Sequence, residues 1–188
     1  MTILTWNAYF ETGIEEIDQQ HRHLVDLVNG IAPILAAADS SIPENIGYLF
    51  DQLLDYAAEH FATEEGLMLA RGIDRQHFDH HVGSHGAFVE NLRRLEADYL
   101  AKHSASGRRL LSFVTNWLVF HILVEDQSMA RQMQLIGAGM SARQAYDADG
   151  GKDINPGQVS LYLSGLFAAA LLAWALGWAK TYILALVS

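Results

Sequence analysis

The stretch His60-Phe61-Ala62-Thr63-Glu64, followed after the break Arg71-Gly72-Ile73-Asp74 by His81-Val82-Gly83-Ser84-His85, decides the fold. On an α-helix, residues four apart lie on one face, one turn above the other, so His60 with Glu64 and His81 with His85 can each reach a common centre. The flanking residues continue a helical pattern, and Gly72 with Asp74 supplies a stop and a start between two such helices. One pair of this kind is commonly a solvated ladder. Two pairs on consecutive helices turn attention to the remaining histidines.

Outward from this centre the chain keeps apolar spacings of three and four. A first helix is expected from about Ile14 to Ala38, kinked late by Pro33. A second follows Ser41-Ile42-Pro43-Glu44 and runs to about Ala70; a third covers Asp74 to Lys102. Ser104-Ala105-Ser106-Gly107 then separates a fourth that runs to about Ile136. Four long helices with short connections predict an all-α protein built as an antiparallel up-down four-helix bundle, whose metal sites form from side chains on facing helices. Each helix carries a candidate: His21 on the first, His60 and Glu64 on the second, His81 and His85 on the third, His121 with Glu125 and Asp126 on the fourth. His77 and His81 are also four apart, so a shifted pairing on the third helix stays open.

The chain has 188 residues, nine histidines and no cysteine, with 22 acidic against 12 basic side chains and a formal net charge of −10. Without cysteine there is no disulfide framework, iron–sulfur cluster or thiol nucleophile. The acidic excess excludes a nucleic-acid surface, which needs Lys and Arg to neutralise phosphates. Imidazole and carboxylate remain as ligands. Five imidazoles and two carboxylates exceed what one tetrahedral zinc uses and suit two first-row ions bridged by carboxylates, iron leading.

Taken together, Trp6 with Tyr9, Gly13-Ile14, Ile17-Asp18-Gln19-Gln20-His21, His60 to Glu65 with Met68, His81 to His85 with Phe88, and Trp117-Leu118-Val119-Phe120-His121-Ile122 ending at Asp126 resemble the successive signatures of the hemerythrin family, bacterial members above all. The resemblance covers roughly residues 4 to 135. It implies two non-haem iron ions, Fe2+ or Fe3+, with an oxo or hydroxo bridge: His81, His85 and His121 hold one, His21 and His60 the other, and Glu64 and Asp126 bridge. It also implies reversible dioxygen binding at the iron that keeps an open position, in an apolar pocket for which Trp117, Leu118 and Ile122 are candidates. Helical geometry alone prefers Glu125, about 40° from His121, over Asp126 at about 140°. The resemblance prefers Asp126, and so requires local overwinding or a π-bulge near Val124.

On this reading residues 1–137 form the di-iron bundle and 138–157 a linker. Residues 158–188 form a hydrophobic helix that anchors the protein in a membrane. Val159 to Ala179 carries no charge over 21 residues, which meets the ~20 a spanning helix needs; the alternative is a fifth buried helix. No secretory signal is visible at the N-terminus. The expected location is the cell inner membrane with the bundle in the cytoplasm, or else a soluble cytoplasmic protein. The expected function is non-enzymatic oxygen carriage, storage or delivery, with a membrane oxygen-consuming enzyme as partner; Gly165 and Gly177 also suit self-association into a homo-oligomer. The competing classes are an oxygen or redox sensor and a di-iron oxidase or peroxidase.

Overall fold

The computed structural model describes residues 2–36, 46–102 and 104–150. Among these there is no strand. The helices are α1 (Glu15–Ala36), α2 (Ile46–Arg71), α3 (Arg75–Lys102), α4 (Ser104–Phe120), a π-helical turn (His121–Asp126), α5 (Gln127–Gly137) and α6 (Ala142–Ala148), preceded by a short 3-10 turn at Ala8–Phe10. Helix α4, the π turn and α5 follow one another without interruption and together form the fourth long helix.

Each boundary has a local cause. Asp18, in the first turn of α1, accepts hydrogen bonds from the Thr12 and Gly13 backbone N–H groups and the Thr12 hydroxyl at 2.7 to 3.1 Å. Gly13 takes φ +81°, a left-handed conformation that side-chain-bearing residues rarely adopt. Glu15, Glu16 and Asp18 place negative charge at the positive end of the α1 dipole. Between α2 and α3 the Ile73 N–H reaches back to the Met68 carbonyl at 3.1 Å, with Gly72 at φ +66°, an end motif of the Schellman type. Asp74 then caps α3 by accepting from the Gln76 N–H at 3.0 Å.

The long helices pack in ring order: α1 against α2 and α4, α3 against α2 and α4. Contacts run antiparallel. Along α3, Ser84 meets Glu125, Phe88 meets Trp117, and the Tyr99 ring faces Gly107. Along α2, Phe50 meets Tyr99 whereas Phe61 meets His85. This is the expected up-down bundle. Its main core joins Leu24, Val28, Phe50, Leu53, Phe61, Phe88, Leu92, Leu110, Val114 and Leu118. A smaller cluster of Met68, Ile73, Met129 and Met133 closes the end near the α2–α3 turn. At about 1.5 to 3 kcal/mol for each fully buried large side chain, these clusters dominate the stability.

Four expectations need correction or placement. Ser104–Gly107 does not separate two helices; it is the first turn of α4. Gly107 is there because its backbone approaches α1, where an added Cβ would stand 2.5 Å from the Leu35 carbonyl oxygen. Within the stretch read as linker, α6 is helical: Ser141 and Gln144 form a capping box, Ala145 and Tyr146 are buried, and Arg131 pairs with Asp149 at 2.6 Å. Helix α1 runs through Pro33 as far as Ala36, and the expected start of α2 at Ser41–Glu44 lies outside the described residues. The hydrophobic segment 158–188 and the membrane helix expected in it also lie outside them. Among the described residues no helix is long and apolar enough to cross a membrane.

Candidate metal centre

The bundle brings all seven predicted ligands into one buried layer. His21 stands on the apolar face of α1 with Ile17, Leu24 and Val28; His60 and Glu64 on α2, His81 and His85 on α3, and His121 and Asp126 in the π turn complete it. All but His85 are fully inaccessible, and His85 is 3 % exposed. The π turn supplies the extra residue that lets His121 and Asp126, five apart, face the same interior. This is the π-bulge that the choice of Asp126 required.

Ligand atoms fall into two groups, Glu64 with His81, His85 and His121, and Glu64 with His21, His60 and Asp126; within each group they all lie within 4.8 Å of one another. Glu64 divides its oxygens between them. Oε2 stands 3.2 Å from the Nε2 atoms of His81 and His85 and 3.4 Å from that of His121, while Oε1 stands 3.6 Å from His60 Nε2 and 3.8 Å from His21 Nε2. Asp126 divides in the same way, Oδ1 lying 3.2 Å from His121 and 3.6 Å from His81, Oδ2 lying 3.0 Å from His21. Two carboxylates thus span two histidine groups.

The hemerythrin HHE cation binding domain matches residues 12–133. The chain belongs to the hemerythrin family. It is 30% identical over 134 residues to a bacteriohemerythrin of Stenotrophomonas maltophilia, covering 71% of this chain and 84% of the relative. It is 32% identical over 128 residues to one of Methylococcus capsulatus, covering 68% and 94%, and 31% identical over 124 residues to hemerythrin subunit alpha of Lingula anatina, covering 64% and 87%. No solved structure matches significantly.

In this chain the imidazoles are oriented from behind. The Nδ1–H of His121 donates to Glu125 at 2.5 Å, that of His85 to Glu65 at 2.9 Å, and that of His60 to the Gln20 amide oxygen at 3.0 Å. Each bond orients its ring and, in the neutral imidazole, favours the tautomer whose Nε2 lone pair is directed inward. Gln20, Glu65 and Ser84 were not singled out in the sequence; adjacency to a ligand, as in Gln20-His21, Glu64-Glu65 and Ser84-His85, was the available signal. Glu125, the residue favoured by regular helical angles, lies outside both groups. So does His77, which packs between His81 and Tyr146 with ring centroids 5.8 and 6.3 Å away. The pair that joins the site is therefore His81 with His85. His23 is exposed, its ring tilted against that of Tyr56, whereas His103 lies outside the described residues.

Apolar rings seal the layer. Phe61 stacks on His85 at 3.8 Å and Trp117 on His121 at 4.3 Å. Trp117 and Leu118 line a cavity of about 10 Å³ together with Phe61, Phe88 and Val114; Ile122 is fully buried but does not line it.

The donor set fits a pair of cations. Nε2 of His21 and His60, Oε1 of Glu64 and both oxygens of Asp126 are buried and make no hydrogen bond, an arrangement that costs free energy unless something of opposite character meets these atoms. Burial drives the His60 pKa down to about 3, with the neighbouring histidines acting in the same sense, so its lone pair stays free. Burial also lowers His85. Burial and the Glu64 charge raise Asp126. Glu64 is held well below the carboxylate range despite its burial, because the surrounding imidazoles of His60, His121, His81 and His85 favour the anion.

Proposed function

We propose that this hemerythrin-family chain binds dioxygen reversibly at two non-haem iron ions, one held by His81, His85 and His121, the other by His21 and His60, with Glu64 and Asp126 across both. The observation that carries this reading is the division of both carboxylates between the two histidine groups, Glu64 through Oε2 and Oε1 and Asp126 through Oδ1 and Oδ2. The two-histidine side offers one imidazole fewer, which leaves room for an exogenous ligand. Bound there as ferrous ions, the pair would supply dioxygen with electrons and an open position. The chain's own residues do the rest. Gln20, Glu65 and Glu125 hold the imidazoles in place, and Phe61, Trp117 and Leu118 exclude water, whose protons would convert a reversible adduct into released product. Five histidines to two carboxylates favours carriage over oxidase chemistry, for which carboxylate-rich sites are the usual setting. Anaerobic reduction followed by one exposure to air tests this: an adduct that disappears under vacuum and returns with air supports carriage, while direct conversion to an inert oxidised form refutes it.

The role is delivery at a membrane. Val159–Ala179, with 21 uncharged residues, holds the bundle at the cytoplasmic face of the cell inner membrane beside an enzyme that consumes oxygen. Fractionation tests this part. The full chain is expected in the membrane pellet, and a chain ending at Asp153 in the soluble fraction with an unchanged iron spectrum. A full chain found in the soluble fraction refutes the anchor.

A further inference from the structure

The backing of the histidines is charged on one side only. His121 and His85, on the three-histidine side, each donate Nδ1–H to a carboxylate, Glu125 and Glu65; His60, on the two-histidine side, donates to the neutral amide of Gln20. Glu125 is 4 % exposed and is itself held by the Ser84 hydroxyl at 2.8 Å, with His80 Nε2 at 3.5 Å. The π turn makes this possible. Consecutive acidic residues address opposite edges of one imidazole, Glu125 at Nδ1 and Asp126 at Nε2, 2.5 and 3.2 Å away.

An amide and a carboxylate orient an imidazole equally well, but only the carboxylate adds charge. An anion on Nδ1–H makes Nε2 a stronger donor. A metal ion gains more from that donor as its own charge rises.

We propose that Glu125, assisted by Glu65, is a positioning residue that sets the charge of the three-histidine side, so that the ion held there prefers the ferric state more strongly than its neighbour. The inference rests on the di-iron reading above. It assigns Glu125 a role distinct from ligation and makes the two ions unequal through their outer partners as well as through their ligand number.

The test uses the full chain loaded with iron, and separately with zinc. Spectroelectrochemical titration of the iron form is expected to show two resolved one-electron steps. In Glu125→Gln the lower-potential step moves positive; a tenfold loss of ferric preference reads as about 59 mV. Zinc affinity falls roughly tenfold, at the lower end of what loss of such a partner costs. Gln20→Glu moves the other step negative and narrows the gap. Ser84→Ala, which keeps Glu125 but frees it, shifts the lower step in the same direction as Glu125→Gln by less, and with Gln20→Glu it decides the matter if Glu125→Gln does not fold. Unchanged potentials and zinc affinity in Glu125→Gln at full iron loading overturn the inference and leave the di-iron reading intact. Loss of one iron from Glu125→Gln but not from Asp126→Asn also overturns it, because Glu125 is then a ligand. A wild-type chain that takes up no iron overturns both.

Discussion

Helix α3 and the fourth long helix each send two ligands into the same layer, by different geometry. On α3, His81 and His85 are four apart and regular helix suffices. On the fourth, His121 and Asp126 are five apart, and the backbone spends one extra residue in a π turn to align them. That irregular turn is where the molecule fits two functions into consecutive residues, Glu125 behind His121 and Asp126 in front of it. On the regular helices the supports Gln20 and Glu65 back ligands of a neighbouring helix, whereas the π turn carries a ligand, His121, together with that ligand's own support, Glu125.

The largest effect should come from the residue both sides share. Glu64→Ala removes one oxygen from each group, and iron per chain is expected to fall from two to near zero by elemental analysis; full occupancy would mean that the carboxylate does not bridge. Asp126→Asn and Glu125→Gln separate the consecutive acids of the π turn. The first is expected to lose at least half of the iron, the second to retain two per chain; the reverse order would mean that the fourth helix follows regular angles after all.

A smaller effect concerns protons. In the metal-free chain His60 is held neutral down to about pH 3, whereas the unfolded chain protonates it below its usual value near 6.5. The unfolded state therefore binds more protons as pH falls from about 6.5 towards 3, and stability falls with it, by about 2 kcal/mol at pH 5 from this group. Denaturant titrations at pH 7 and pH 5 should show the loss, and His60→Gln should remove that part of it. An effect on stability alone lies at the far end of the bundle. Gly107→Ala sets a Cβ against the Leu35 carbonyl oxygen, so a loss of about 1–3 kcal/mol is expected with the iron count unchanged. A changed iron count would show that the two ends are coupled.

These contrasts also show what was legible in the sequence. Helices α2 and α3 were readable because their ligand pairs obey helical spacing and Gly72 marks the turn. The π turn was readable only because family resemblance demanded Asp126 where regular angles demanded Glu125. Ser104–Gly107 misled because serine and glycine favour loops, while the close approach to Leu35, which requires the glycine, is a tertiary fact. Helix α6 was hidden among glycines and aspartates, although Ser141 followed three residues later by Gln144 is a capping-box signature. The supports Gln20, Glu65 and Ser84 are marked only by adjacency to a ligand; packing alone shows that Gln20 meets His60, Glu65 meets His85 and Ser84 meets Glu125.

Two carboxylates join two histidine groups into one paired site. The most direct measurement is iron per chain combined with the optical spectrum of the anaerobically reduced protein before and after one exposure to air. Two irons per chain and a spectrum that appears with air, fades under vacuum and returns are expected. One iron or none, or a spectral change that vacuum does not reverse, would contradict the account.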